Sequence, residues 1–328
     1  VVINGGTFKN DNSNSLVYNV SNNSVIEVNG GYFENKGACF ENYNLFNDGI
    51  GKLVINEKQG NTTKIVSNGS YAIFNSVYTA SNRSIKTEIN GGEIKSINSS
   101  TIQNNYYNGE LKITGGKIIS ESTNSEKYSA IRTFSDNINI KITGGHILST
   151  GTTLNIVDNT SSTKQGKLEI TGGTLKSSNS TALNITGSNM ESIVIGKDDE
   201  IVDSNYPKIE GAICAISSPM VGIDMYDGQF IGTQTNVIKG KIGQISEGLE
   251  LNSEILDNNL EKITLGEPTE NVAKIGDQEF KTLQSALESC STENEEQATE
   301  IIILKDFYMP RQAEIKNGQN VVINLNGK

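Results

Sequence analysis

A ten-residue repeat built around a pair of glycines recurs along most of this chain and limits the folds available to it. The clearest copy is Leu168–Ser177, with the sequence LEITGGTLKS. The second glycine of the pair falls at positions 6, 31, 92, 116, 145 and 173, so the intervals are 25, 61, 24, 29 and 28 residues. The interval of 61 is two periods, because a copy that lacks the pair lies between them at Lys52–Asn56. Two further copies without the pair follow Gly173, at Ile193–Gly196 and Ile223–Phe230. A period in this range predicts a solenoid.

Apolar and polar residues alternate within each copy, and this alternation predicts strands with one buried face. We expect one interior column to stack Ile113, Ile142 and Ile170. A charged column should lie outside it in register, formed by Glu88, Lys112, Lys141 and Glu169. The strands continue on both sides of the glycine pair, so the pair marks a corner where the backbone needs φ values that glycine adopts at low cost.

A further apolar strand comes after each copy, and it usually begins with a small residue and then a large one. Examples are Ala72-Ile73, Ala130-Ile131 and Ala182-Leu183. Three short strands in each period describe one coil of a solenoid, and neither the leucine-rich nor the ankyrin consensus is present. The sequence therefore predicts an all-β fold, a right-handed parallel β-helix in which like residues stack from coil to coil about 4.8 Å apart.

The period divides the chain into three parts. We expect residues 1–250 to form a β-helix of about nine or ten coils, and residues 251–270, where the period is lost, to form an irregular linker. In residues 271–328 an apolar stripe at helical spacing, Phe280, Leu283, Leu287 and Cys290, precedes new strands. This part is predicted to be a helix that caps the start of a second, truncated β-helix. Since the first residues already belong to a repeat, we also expect the chain to be a piece of a longer protein.

Composition excludes several classes of function. The net charge of −11 and the pI of about 4.8 argue against binding nucleic acid through phosphate neutralisation. No apolar run reaches the 18 or so residues of a membrane span. The three cysteines, Cys39, Cys214 and Cys290, are an odd number and too few for a disulfide framework, so we interpret them as buried small hydrophobic residues.

One outward column offers a titratable constellation. The position after the glycine pair holds Glu93, Lys117 and His146 on successive copies. Carbohydrate cleavage on a β-helix would need carboxylates that converge from neighbouring coils, either as an acid and base pair or as calcium ligands. The column offers no such set, so we favour a solvated ladder of mixed charge over catalysis.

Two other groups of residues are candidates for binding. Asp198 and Asp199 lie in a predicted loop and have the oxygen ligands that Ca²⁺ prefers, although a solvated acidic turn is the simpler interpretation. Aromatic residues that flank neighbouring loops are candidates for stacking on sugar rings: Tyr106, Tyr107, Tyr128 and Phe134. Core filling is the alternative for them, and no cofactor motif is found.

Parts of the chain resemble a known kind of protein. The run Ile193–Asp199 and the run Met225–Gly232 look like segments of large repetitive surface proteins of Gram-positive bacteria. Residues 275–328 are similar to the opening of pectate-lyase-like β-helix modules in such proteins. The resemblance implies an exported surface module without known catalysis.

The expected function is therefore that of a non-catalytic structural or adhesive β-helix segment, extracellular or at the cell surface. Self-association or neighbouring β-helix modules are the expected partners, and carbohydrate or a host surface is a further one. A polysaccharide lyase or hydrolase is the first alternative, and a carbohydrate-binding module is the second. No nucleic acid, membrane span or cofactor is expected.

Overall fold

The chain folds into a parallel β-helix that leads into a small mixed sheet with one short helix. The computed structural model describes all residues except 21–22, 45–48, 78–82, 106–107, 125–126, 135–136, 158–165, 189, 198–205, 247–248, 268–269, 294–295, 306–312 and 328. No helix in the described ranges is long and apolar enough to cross a membrane.

The strands of the first half succeed one another at short intervals. Their bounds are β1 Val2–Ile3, β2 Thr7–Asn10, β3 Val17–Asn19, β4 Val25–Val28, β5 Gly31–Asn35, β6 Phe40–Asn44, β7 Gly49–Ile55, β8 Thr63–Ser67, β9 Ile73–Val77, β10 Arg83–Ile89, β11 Glu93–Ser96, β12 Ile102–Asn105, β13 Asn108–Ile113, β14 Lys117–Ser120 and β15 Ile131–Phe134.

Several strands of the second half are longer, because two strand segments run on without a break. Their bounds are β16 Asn137–Ser149, β17 Leu154–Val157, β18 Gly166–Ser177, β19 Thr181–Ile185, β20 Met190–Ile195, β21 Lys208–Gly211, β22 Cys214–Met225, β23 Gln229–Thr233, β24 Ile238–Ile245, β25 Glu250–Ile255, β26 Leu260–Gly266, β27 Ala273–Ile275, β28 Gln278–Phe280, α1 Leu283–Glu288, β29 Thr299–Ile303 and β30 Val321–Asn324.

Successive coils pair in parallel along three stacks of strands. Stack A contains β1, β4, β7, β10, β13, β20 and parts of β16, β18, β22 and β24. Stack B contains β2, β5, β8, β11, β14, β21, β23 and the other parts of β16 and β18. Stack C contains β3, β6, β9, β12, β15, β17, β19 and the first parts of β22 and β24. The prediction of a parallel β-helix is confirmed.

The interior columns lie where the alternation places them. Ile113 pairs with Ile142, which pairs with Ile170, and all three side chains are fully buried. The charged column outside is also in register, formed by Glu88, Lys112, Lys141 and Glu169. Both predicted columns are confirmed. One hydrophobic core runs along the solenoid from Ile26 to Leu265.

The glycine corners allow the coils to approach closely. Gly116 and Gly145 have φ values of +82° and +85°, which other residues adopt only with strain. A Cβ atom built on Gly145 would lie 2.9 Å from the carbonyl oxygen of Gly115 on the preceding coil. Glycine is therefore required at this corner both by the dihedral angle and by the neighbouring backbone.

Buried asparagines form a ladder inside the first coils, which the repeat pattern had not led us to predict. Nδ2 of Asn42 donates to Oδ1 of Asn75 at 2.9 Å, and Nδ2 of Asn75 donates to Oδ1 of Asn104 at 2.8 Å. Nδ2 of Asn104 then donates to Oγ1 of Thr133 at 3.2 Å. The signal was present, because an asparagine recurs two residues after the large apolar residue of stack C.

The segment predicted to be an irregular linker, residues 251–270, is instead largely a hairpin. Strands β25 and β26 pair antiparallel, and β26 also pairs antiparallel with β23. The hairpin lacks the repeat because its partners run in the opposite direction, so its residues need not match a coil. Alternation is weak, since only Leu265 of these two strands is buried.

The remaining elements form a second core around α1. The helix spans only Leu283–Glu288, which is shorter than the apolar stripe, because Phe280 belongs to β28 and Cys290 lies beyond the C-cap Ser289. Thr282 begins the helix with a capping box to Ser285. Strands β29 and β30 pair in parallel, with Thr299 opposite Val321. The length of chain from Thr299 to Val321 is about that of one coil. A second β-helix in residues 271–328 stays a prediction.

Candidate functional site

The outward column of stack B holds the titratable side chains that the sequence singled out. Glu93 pairs with Lys117, and Lys117 pairs with His146, on three successive coils. The predicted juxtaposition is therefore confirmed. The complete column runs through Thr7, Tyr32, Lys64, Glu93, Lys117, His146, Thr174, Lys208 and Gln229.

The charges in this column are arranged as a ladder. Oε1 of Glu93 lies 3.3 Å from Nζ of Lys64, and Glu93 also faces Lys117 across the next strand pair. His146 has Lys117 on one side and Thr174 on the other, and its side chain is exposed. Glu93 is the one carboxylate among the nine described residues of the column. A glycosidase-type acid and base pair needs two, so the geometry of this column favours a solvated ladder of mixed charge.

A shallow recess lies at the first coils of the same stack. Its volume is about 290 Å³, and its walls are formed by Gly5, Gly6, Gly31, Tyr32, Gly60, Asn61, Thr62 and Lys64. The Tyr32 hydroxyl donates to Oε2 of Glu34 at 3.1 Å, and Nζ of Lys9 lies 2.8 Å from the same carboxylate oxygen. Hydrogen bonds from Lys9, Asn68 and Tyr32 lower the pKa of the Glu34 carboxyl. These polar groups are thus already bonded to one another.

The predicted aromatic candidates divide into two groups. Tyr106 and Tyr107 lie outside the described residues, as do Asp198 and Asp199. Tyr128 is described, and its ring is half-buried with Nζ of Lys127 5.0 Å from the ring centre. Phe134 ends β15, and its ring lies 4.5 Å from the guanidinium carbon of Arg132. Tyr128 precedes β15 and Phe134 ends it, and both residues lie close to Arg132.

Arg132 belongs to this aromatic group, although the sequence had not marked it as a candidate. Its Nη1 donates to the backbone carbonyl of Lys127, while its buried Nε has no hydrogen-bond partner. Burial lowers the pKa of the guanidinium, and the nearby hydroxyls of Tyr71 and Tyr128 oppose that effect. The sequence did contain a signal for Arg132, because it is an arginine at an outward position of a predicted strand with aromatic residues nearby in the chain.

The described residues offer no further chemistry of the kinds considered. Within the described ranges, no three His, Cys, Asp or Glu residues are grouped so that they could hold a metal ion. Cys39, Cys214 and Cys290 are free and buried, which confirms the interpretation given to them. Burial raises the pKa of the Cys39 thiol to about 12. The thiol donates a hydrogen bond from Sγ to the Val66 carbonyl oxygen at 3.2 Å.

Comparison with protein-family models, with curated proteins and with solved structures finds no match for this chain.

Proposed function

We propose that this chain is a non-catalytic β-helix segment of an extracellular structural or adhesive protein. The observation that supports it best is the unbroken register of the interior column of stack B from coil to coil. The stack B column alone continues from Phe8 to Phe230 through Phe33, Ile65, Ile94, Ile118, Ile147, Leu175 and Ile209. Because each coil is bonded to its neighbours along three strands, the solenoid resists bending and local opening.

Ion pairs between adjoining coils support the same role. Each pair joins a lysine and a glutamate on neighbouring coils at 2.6 to 3.4 Å: Lys9–Glu34, Lys52–Glu88, Lys64–Glu93, Lys86–Glu110, Lys95–Glu121, Lys141–Glu169, Lys167–Glu191 and Lys176–Glu210. Exposed pairs of this kind contribute only about 0 to 1 kcal/mol each. Their main effect is to keep the outer strands in register and the surface hydrated.

Stretching single molecules tests the structural role. A coil of about 24 to 29 residues should lengthen the chain by about 8 to 10 nm when it detaches. We expect repeated steps of this size at high force, because the coils are separate repeats joined by nearest-neighbour contacts. Loss of the whole solenoid in one low-force step would contradict the structural role.

Assays on polysaccharides test the absence of catalysis. We expect no release of reducing ends or unsaturated products from acidic or neutral polysaccharides, with or without Ca²⁺. Turnover that disappears in Glu93→Gln or His146→Gln, but not in Thr174→Ala in the same column, would instead support the lyase or hydrolase alternative.

End-to-end contact with another β-helix coil is part of this proposal. The Phe8 ring stacks on Phe33 at 4.8 Å and is 37% exposed, so a coil placed against it would continue the same column. We expect Phe8→Asp to reduce association in sedimentation at high concentration, because it would place a charge at that contact. Thr7→Asp, on the outward face of the same strand, is the matched control. Equal association of both variants would contradict the proposal.

A further inference from the structure

The described part of stack C contains an arginine whose hydrogen-bonding capacity is largely unused. Ile131 and Thr133 point into the core and are fully buried, so Arg132 between them points outward. Its side chain is nevertheless half-buried. Nη1 is held by the Lys127 carbonyl, and the guanidinium lies over the Phe134 ring. These two contacts hold the guanidinium in place.

The other edge of the guanidinium carries a donor without a partner. Nε is buried without a hydrogen-bond partner, and no described carboxylate forms an ion pair with Arg132. Nε and Nη2 together form the planar fork that matches a carboxylate in a bidentate pair. A buried donor without a partner is costly, so this edge is a strong candidate for a ligand.

A second unsatisfied group lies on the preceding coil. Gln103 is opposite Arg132 in the register and is only 2% exposed. Its Nε2 donates to Oδ1 of Asn105 at 2.7 Å, whereas its Oε1 is buried without a partner. This oxygen can accept one hydrogen bond from a ligand. A free donor fork and a free acceptor therefore occupy adjacent coils.

Aromatic side chains border both groups. Phe74 precedes Gln103 in the same column, and its ring stacks on Tyr71 at 5.3 Å. Tyr71 and Tyr128 are both half-buried and lie close enough to Arg132 for their hydroxyls to act on its charge. Nε is buried, so a ligand reaches it only when a covering side chain moves aside. The apolar faces of the rings then suit a flat or ring-shaped ligand body.

We propose that Arg132, Gln103 and their aromatic neighbours bind a small carboxylic acid whose ring carries a hydroxyl donor. The carboxylate pairs with Nε and Nη2 of Arg132, the hydroxyl donates to Oε1 of Gln103, and the ring packs against Tyr71 or Tyr128. This inference goes beyond the proposed structural function and does not depend on it. A rigid β-helix without such binding would leave that function intact.

Calorimetric titration of the full chain tests the site with four probes. Glucuronate and 4-hydroxybenzoate carry the required groups on a sugar ring and on an aromatic ring, so the tighter of the two identifies the ligand body. Glucose lacks the carboxylate, and acetate lacks the ring. We expect at least one of the two ring acids to bind and both control probes to bind at least about tenfold more weakly. Glucose loses the charge-assisted hydrogen bonds to Arg132, and acetate loses both the hydroxyl that donates to Gln103 and the ring contact. Acetate binding as tightly as the ring acids would overturn the proposal.

Variants distinguish the effect of the planar donor fork of Arg132 from that of its positive charge. Arg132→Lys keeps the charge but loses the planar fork, and we expect it to weaken binding by about tenfold to a hundredfold. Gln103→Leu should weaken it by a similar factor. Lys117→Gln removes a positive charge from the outward column of stack B, outside the proposed site, so affinity should change by less than about twofold. Circular dichroism and melting curves confirm that each variant is folded. Equal affinity of Arg132→Lys and the wild type, or binding of neither ring acid, would overturn the proposal.

Discussion

The amide of Asn75 donates a hydrogen bond to the amide oxygen of Asn104 across 2.8 Å, and both side chains are fully buried. Asn75 also accepts from Asn42. It is therefore the middle member of a polar ladder enclosed by an apolar core. Removal of such a member leaves a donor on one coil and an acceptor on another without partners.

We expect Asn75→Ala to lower the free energy of unfolding by about 2 to 5 kcal/mol, since each unsatisfied buried group costs about 1 to 3 kcal/mol. Asn56→Ala is the matched control. Asn56 also links two coils through Asn29 and Asn90, but it is only half-buried, so water can replace its bonds at a cost below about 1 kcal/mol. Urea titration measures both. Equal losses would show that burial of the ladder is unimportant.

Gly145→Ala should destabilise the chain more than Gly60→Ala. Both glycines have nearly the same backbone angle, with φ values of +85° and +83°. The strain of a side chain at that angle, about 1 to 2 kcal/mol, is therefore common to both variants. A Cβ atom at Gly145 would also lie 2.9 Å from the Gly115 oxygen, whereas at Gly60 it would meet no atom within 4 Å. Thermal melting of the two variants isolates the cost of the close approach, and similar melting temperatures would refute this account.

Ile142→Asp should lower the free energy of unfolding by at least about 3 kcal/mol, because it buries an unpaired charge between Ile113 and Ile170. Lys112→Asp is the control, since Lys112 is half-exposed on the outer face of an adjacent coil. We expect it to cost less than about 1 kcal/mol. Chemical unfolding curves of both variants check the assignment of faces, and a larger loss for Lys112→Asp would reverse it.

Cys39 should make the chain less stable at high pH. The pKa of its thiol is raised to about 12 in the folded state, whereas an unfolded thiol has a pKa of about 8.5. Below the pKa of the unfolded thiol, the thiol is neutral in both states and its full contribution to stability is present. Above that pKa the thiol ionises only in the unfolded state, so this contribution is lost as the pH rises towards the folded pKa.

The stability advantage of the wild type over Cys39→Ala should therefore shrink between about pH 8 and pH 11. Urea midpoints of both proteins across that range measure this difference in stability. Lysines and tyrosines titrate in both proteins, so their effect cancels when the two midpoints are subtracted. The native thiol should also resist alkylation until the chain unfolds. A difference in midpoint that is independent of pH would contradict the assignment.

The parallel β-helix could be predicted because its coils repeat the same local requirements. Ile142 and Ile170 occupy the same inward position on successive coils, so both are apolar for the same reason. A stack of like residues therefore leaves a period in the sequence. The juxtaposition of Glu93, Lys117 and His146 came from the same register.

The hairpin of β25 and β26 could not be predicted in this way. Its strands pair antiparallel with each other and with β23, so no column of the β-helix continues through them. The end of the period indicates only that parallel coils stop. The structure of the next segment depends on which strand edge is available to it, and that is a property of the folded neighbours.

The sequence alone determined the strands, their inward faces and the corners, since alternation and glycine spacing are local properties that each coil must satisfy. Only the tertiary structure decided which polar groups are satisfied. Asn75 and Gln103 are both amides on adjacent coils of stack C and both are buried, yet the inward Asn75 finds partners on both neighbouring coils while Oε1 of the outward Gln103 finds none. A hydrogen bond needs a partner within about 3 Å, and that distance is set by the packing of whole coils.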